Sequence, residues 1–133
     1  MVGEVSDVKP YLEDASVFVN NIRVSAGIKG KVLEAMACGV PVVSTKSGAC
    51  GIDAEPDKEI LLANAPGEFV RHVLNLLQDN ALHERIATEA RWMVENKYDW
   101  RRIIKKLDKL YQSALPEKEK DSNSSLIDKI IYN

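Results

Sequence analysis

Gly27, Gly30, Lys31 and Glu34 stand at spacings that can hold a nucleoside diphosphate. If the surrounding residues are helical, a rotation of about 100° per residue puts these four on one open polar face. The opposite face then carries Ile28, Val32, Leu33, Ala35, Met36 and Ala37. The first turn of a helix offers unpaired N–H groups and the positive end of the helix dipole, and two glycines let a ligand approach it closely. These are the requirements of a diphosphate site. Lys31 adds a point charge, and Glu34, one turn deeper, presents two acceptors suited to a vicinal diol such as a ribose. Taken alone, the pattern also fits a glycine pair that eases loop packing beside a solvated glutamate.

The elements needed to position these residues can be read along the chain. Asp7–Asp14 is predicted as a short helix with Pro10 in its first turn. Val17–Val19 reads as a strand buried on both faces. A loop from Asn20 leads to a predicted helix over Gly27–Cys38, stopped by Gly39 and Pro41. Val42–Thr45 is a second strand, followed by a glycine-bearing loop over Lys46–Asp53, and Ile60–Ala63 is a third. Three amphipathic helices follow. Phe69, Val73, Leu76 and Leu77 mark the first, and Leu82, Ile86, Ala90 and Met93 the second. Trp100, Ile103, Ile104, Leu107 and Tyr111 mark the third. This order predicts an α/β domain, a Rossmann-like parallel sheet with flanking helices whose ligands sit outside the carboxyl ends of the strands.

The 133 residues allow one domain, and with 45% apolar and 29% charged residues the composition is that of a globular one. The expected organisation is a domain over 1–112, a polar linker over 113–125 and a short apolar tail over 126–133. The tail is read as a frayed helix on the domain or a neighbour, with contact to an absent partner as the sharper alternative. A formal charge of −2 recommends no polyanionic partner globally, so no nucleic acid is expected. Cys38 and Cys50 have no metal-ligand spacing around them, and His72 and His83 are read as surface residues, so no metal is expected either. Arg101, Arg102, Lys105, Lys106 and Lys109 make the last helix basic, which leaves open a peripheral membrane contact beside a plainly solvated face.

The wording of the central segment narrows the choice. Gly27-x-x-x-Lys31-Val-Leu-Glu34-Ala-Met-Ala-Cys-Gly39-Val-Pro41-Val-Val-Ser-Thr45 resembles the signature of the group 1 glycosyltransferases, a retaining family with the two-domain GT-B fold. The resemblance runs from Gly3 to about Tyr111, through Asp7-Val8-x-Pro10, Ala15-x-Val17-Phe18-Val19, Leu61-Leu62-Ala63, Glu68-Phe69 and Tyr98-x-Trp100. It implies the C-terminal part of a GT-B donor-binding domain, with a nucleotide sugar, UDP- or GDP-linked, lying against the helix. Gly27, Ile28, Gly30 and Lys31 would then hold the diphosphate and Glu34 the ribose. No cofactor is implied beyond this substrate.

Two departures qualify the expectation. The family's common motif has a second acidic residue eight positions before Glu34, where this chain has Ala26, so the contact to the donor sugar is left open; Arg23 in the same loop could serve the sugar or phosphate. The family's acceptor-binding domain and the first strand–helix units of its donor domain are also missing, so the chain is expected to be a fragment of a longer enzyme. The expected activity is transfer of a hexose to a saccharide or lipid-linked acceptor in polysaccharide biosynthesis, in the cytoplasm or at the inner face of the membrane. A non-catalytic nucleotide-sugar-binding module and a nucleotide-sugar epimerase of the same architecture are the rivals. An uncovered edge at Val17–Val19 further leaves open a homodimer or coverage by the tail.

Overall fold

The computed structural model describes residues 4–24 and 27–114. Three short parallel strands form its sheet: β1 (Phe18–Asn20), β2 (Val42–Ser44) and β3 (Leu61–Leu62), in the spatial order β1-β2-β3. Phe18 is in register with Val42, and Val43 with Leu61. The chain divides into two compact units, over Met1–Glu95 and Asn96–Asn133.

In the first unit, α1 (Lys9–Glu13) precedes β1, α2 (Gly30–Ala37) joins β1 to β2, and α3 (Pro66–Gln78) and α4 (Asn80–Lys97) follow β3. Asp7 accepts the Lys9 N–H at 2.9 Å at the start of α1, and Pro10 sits in the first turn. Helix α2 closes with the Gly39 N–H on Met36 O and the Val40 N–H on Ala35 O, both at 3.0 Å, which is a Schellman motif. Gly39 adopts φ 76°, a left-handed conformation that disfavours a Cβ. Pro41 follows and β2 starts at once.

Val43, Leu61, Ala63, Leu76 and Ile86 form a buried cluster, with Val17, Phe69, Val73 and Leu82 packed against it. Strand alternation sends Val42 and Ser44 to the other face of the sheet. Helix α2 packs on β1 and β2 and buries Val32, Ala35 and Met36. Helix α4 buries Ile86, Ala87, Ala90, Met93 and Val94.

Several expectations are corrected. Helix α2 begins at Gly30, not Gly27: Gly27 has φ 74°, and Lys29, at φ −90° and ψ 89°, is the N-cap, so the chain turns before the helix can start. Ile28 therefore lies off the helix and is 59% exposed, and Ala37 is exposed too. Strand β1 is shifted by one residue and is not buried on both faces, because Val19 is 49% exposed at the sheet's edge. Leu77 falls on the outer side of α3 and is exposed. His83 lies partly exposed, its Nε2 2.9 Å from the Ser16 carbonyl oxygen that accepts from it.

In the second unit, α5 (Trp100–Ala114) starts at Asp99, whose carboxylate accepts the Arg101 N–H at 2.8 Å. The helix extends to Ala114, two residues into the expected linker, and the remainder of that linker and the tail lie outside the described residues.

Glu68 fastens the exit of β3 to the start of α3. Its Oε2 accepts the N–H groups of Asn64 at 2.7 Å and Ala65 at 3.1 Å, the backward half of a capping box. These two backbone hydrogen bonds, Asn64 first, hold its carboxyl below the usual value. A carboxylate lowered on folding stabilises fully above its unfolded pKa, about 4.3, and loses that contribution as pH falls through the folded value. Wild type and Glu68→Ala should thus differ in urea midpoint at neutral pH and converge in acid. A gap independent of pH would exclude the carboxylate as its cause.

Candidate functional site

The carboxyl ends of the three strands are joined by hydrogen bonds from a few polar residues. The Thr45 N–H donates to Asn20 O at 3.1 Å, continuing the ladder past β2. The Thr45 hydroxyl donates to Ile22 O and accepts the Gly48 N–H at 2.8 Å, while Asn20 Nδ2 donates to Gly48 O at 3.0 Å. Asn20, Ser44, Thr45 and Gly48 are all buried. The loop after β1 and the turn after β2 are thereby locked to each other. Gly48 cannot carry a side chain without displacing this arrangement: a Cβ there would lie 2.6 Å from Ser44 Oγ and 2.7 Å from Asn20 Nδ2. The same turn ends against the entry to α2, since a Cβ on Gly51 would lie 3.2 Å from Ile28 Cγ1.

A cleft of about 280 Å³ opens at this end of the sheet, lined by Val19, Asn21, Arg23, Thr45, Asn64, Pro66 and Phe69. Each strand contributes the residues just beyond its end, as the topology of a parallel sheet requires. Arg23, an exposed residue, lines this cleft. Asn64, Asn21 and Thr45 line this cleft and were passed over by pattern reading. Their signal was a polar residue placed immediately after each apolar strand.

Helix α2 carries the residues of the glycine–lysine–glutamate motif. No side chain caps it, and among the described residues the N–H groups of Gly30 and Lys31 have no backbone acceptor. Glu34 is exposed, folded back so that its Oε1 would lie 3.8 Å from a Cβ on Gly30, and its carboxylate makes no hydrogen bond or ion pair among the described residues. The structure therefore brings Gly30 and Glu34 together. It does not put Glu34 in the same hollow as Arg23. Glu34 lines a different cavity, of about 350 Å³, with Lys9, Leu12, Glu13, Ala37, Cys38 and Arg91. Lys9 pairs with Glu13 at 3.5 Å and Arg91 with Glu95 at 2.8 Å, so the nearby cations have partners other than Glu34. Lys31 is exposed on the first turn, Gly27 and Ile28 lie in the segment leading to it, and Ala26 is outside the described residues. Among the described residues no group of three His, Cys, Asp or Glu gathers to hold a metal.

Among the described residues the arrangement offers open backbone donors at a helix start and an unpaired carboxylate one turn away, and a cleft at the strand ends holds a cation. An anionic ligand with hydroxyl groups answers to all three.

Comparison with known proteins gives the same direction. The family model described as "Glycosyl transferases group 1" matches residues 1–79. A capsular polysaccharide biosynthesis glycosyltransferase of Staphylococcus aureus is 30% identical over 123 residues, covering 90% of this chain and 32% of its own length. An uncharacterized glycosyltransferase of Methanocaldococcus jannaschii is 23% identical over 100 residues, covering 74% of this chain and 26% of its own. The chain thus spans about a quarter to a third of these relatives. The C-terminal domain of a group 1 family glycosyl transferase from Francisella tularensis superimposes with a TM-score of 0.67 at 22% identity, over 75% of this chain and 52% of that one. The fold is shared.

The Thr45 lock yields a test. Thr45→Val keeps the shape and removes the hydroxyl, leaving Ile22 O and the Gly48 N–H without their partner, which should cost about 1–3 kcal/mol. Urea denaturation measures the loss, and hydrogen exchange should show the Gly48 amide opening faster. An unchanged midpoint with Gly48 still protected would mean that other contacts hold the turn.

Proposed function

Because the chain belongs to the group 1 glycosyl transferases, we propose that it is the donor-binding part of a retaining hexosyltransferase, taking a UDP- or GDP-linked sugar. Glu34 receives the ribose hydroxyls. The N–H groups of Gly30 and Lys31, approached past Gly27 and Ile28, receive the diphosphate, and Arg23 reaches the sugar or phosphate from the cleft at the strand ends. The observation that supports this reading is the Glu34 carboxylate, folded beside Gly30 on a first turn without a side-chain cap and unpartnered among the described residues.

Transfer also needs a second wall bearing the acceptor, which the remaining length of the relatives would supply; the acceptor is a saccharide or a lipid-linked saccharide. The capsular polysaccharide relative supports that substrate class. The chemistry is carried by positioning the two substrates and stabilising the leaving diphosphate. One observation favours a non-catalytic binding module instead, namely Ala26 at the position of the family's first acidic residue.

Charge-assisted hydrogen bonds contribute about 1.5–3 kcal/mol each, so Glu34→Ala should weaken nucleotide-sugar binding by roughly ten- to a hundredfold. Calorimetry on the wild type and the variant decides this, and equal affinities with an unchanged circular dichroism spectrum would remove Glu34 from the site.

The 133-residue chain alone should bind donor weakly and transfer nothing, because orientation across a two-walled cleft accounts for about 7–11 kcal/mol of barrier lowering. Joined to an acceptor domain, the enzyme reading requires turnover. Donor binding without turnover in that joined protein would establish the binding module.

A further inference from the structure

The turn that follows β2 meets the segment leading into α2 at two separate points. Backbone hydrogen bonds from the Ala49 N–H to Thr45 O at 3.0 Å, the Cys50 N–H to Ser47 O at 3.3 Å and the Ile52 N–H to Ala49 O at 3.1 Å close residues 45–52 upon themselves and make the turn a stiff unit. Its near end is fixed by the Thr45 hydroxyl, which donates to Ile22 O beside Arg23, and by Gly48, which Thr45 and Asn20 hold from two sides. Its far end is Gly51, at φ 83°, a conformation that disfavours a Cβ. Gly51 lies against Ile28: a Cβ there would be 3.2 Å from Ile28 Cγ1, 3.5 Å from its Cα and 3.6 Å from its N. Gly27 and Ile28 have no backbone hydrogen-bond partner among the described residues. Two residues after Ile28 comes Gly30, whose N–H opens the first turn of α2.

We infer that Gly51 and Thr45 are positioning residues for the donor's diphosphate, acting through Ile28 on the direction of the Gly30 and Lys31 N–H groups; this rests on the reading of α2 as the donor site. Hydrogen bonds weaken steeply as they bend, so amides that meet a phosphate need a backbone held to about 0.5 Å. An approach of two residues without hydrogen bonds of its own does not provide that constancy. A braced turn packed against it does. The same turn fixes Ile22, so the loop that carries Arg23 and the entry to α2 share one support at the end of β2. Neither Gly51 nor Thr45 needs to touch the ligand for this.

The test is nucleotide binding by the whole chain, with UDP and GDP as probes. Misdirecting one N–H forfeits one phosphate hydrogen bond, so Gly51→Ala should weaken binding of the nucleotide that the wild type takes by roughly tenfold. Gly39→Ala is the matched control. Gly39 has φ 76° at the other end of α2 and nothing within 4 Å of a Cβ, so this substitution brings similar backbone strain without the contact and should leave affinity unchanged. In an Ile28→Ala background, which removes Cγ1, the loss caused by Gly51→Ala should shrink. Before any nucleotide is added, the NMR amide signals of Gly30 and Lys31 should shift in Gly51→Ala and hold their positions in Gly39→Ala, with circular dichroism verifying that both variants are folded. An equal loss of affinity in the two glycine variants, or unmoved Gly30 and Lys31 amides in Gly51→Ala, overturns the inference. Binding that Glu34→Ala weakens and Gly51→Ala leaves intact overturns the positioning role and keeps the donor site. Absence of binding of either nucleotide by the wild type overturns both.

Discussion

The Thr45 hydroxyl sits where the loop after β1, the end of β2 and the following turn converge, and it acts there as both donor and acceptor. Without it the carboxyl ends of strands only two or three residues long would have little to hold their loops in place. Asn20 repeats the constraint from the other side by donating to Gly48 O. Because Gly48 is enclosed on three sides by these polar side chains, the lock admits only glycine at that position. The cleft that contains Arg23 and Asn64 is a product of this small buried network.

The sheet itself is minimal. Its strands bury Val42, Val43, Ser44 and Leu61, yet their ladder is short, and much of the cohesion comes from helices laid against it. Helix α2 contributes Val32, Ala35 and Met36 inward while its outer side stays polar. The same helix thus has two duties separated by about half a turn of rotation. Its C-terminus is closed by backbone hydrogen bonds to Ala35 and Met36, and its N-terminus is left uncapped. A helix finished at one end and open at the other is what anion binding at its start calls for.

The parts legible in the sequence were those with strong period or strong punctuation. Gly39 and Pro41 marked the end of α2, and Phe69, Val73, Leu76, Ile86, Ala90 and Met93 marked the inward sides of α3 and α4. The start of α2 was misread because Ile28 fits the apolar period of the helix, and nothing in the residue types reveals that Gly27 takes a left-handed conformation that delays it by three residues. Val17–Val19 looked buried because a β-branched and aromatic run gives no sign of lying at an edge. Gly30 and Glu34 were found together because helical spacing fixes their distance. Asn64 was missed because it shares a cleft with Arg23 only through the side-by-side order of β1, β2 and β3, a relation between segments far apart in the chain.

Between α3 and α4 there is a single residue, Asp79, which ends one helix by donating its N–H to Asn75 O and begins the next by accepting the Leu82 N–H on its carboxylate. One pair of dihedrals, φ −114° and ψ 96°, therefore sets the direction in which eighteen residues of α4 leave. Adding or deleting one residue here would turn α4 by about 100° around its own axis and rotate Ile86, Ala90 and Met93 out of the core. The junction therefore works as a fixed-length coupling, in which the number of residues and not only their chemistry is constrained.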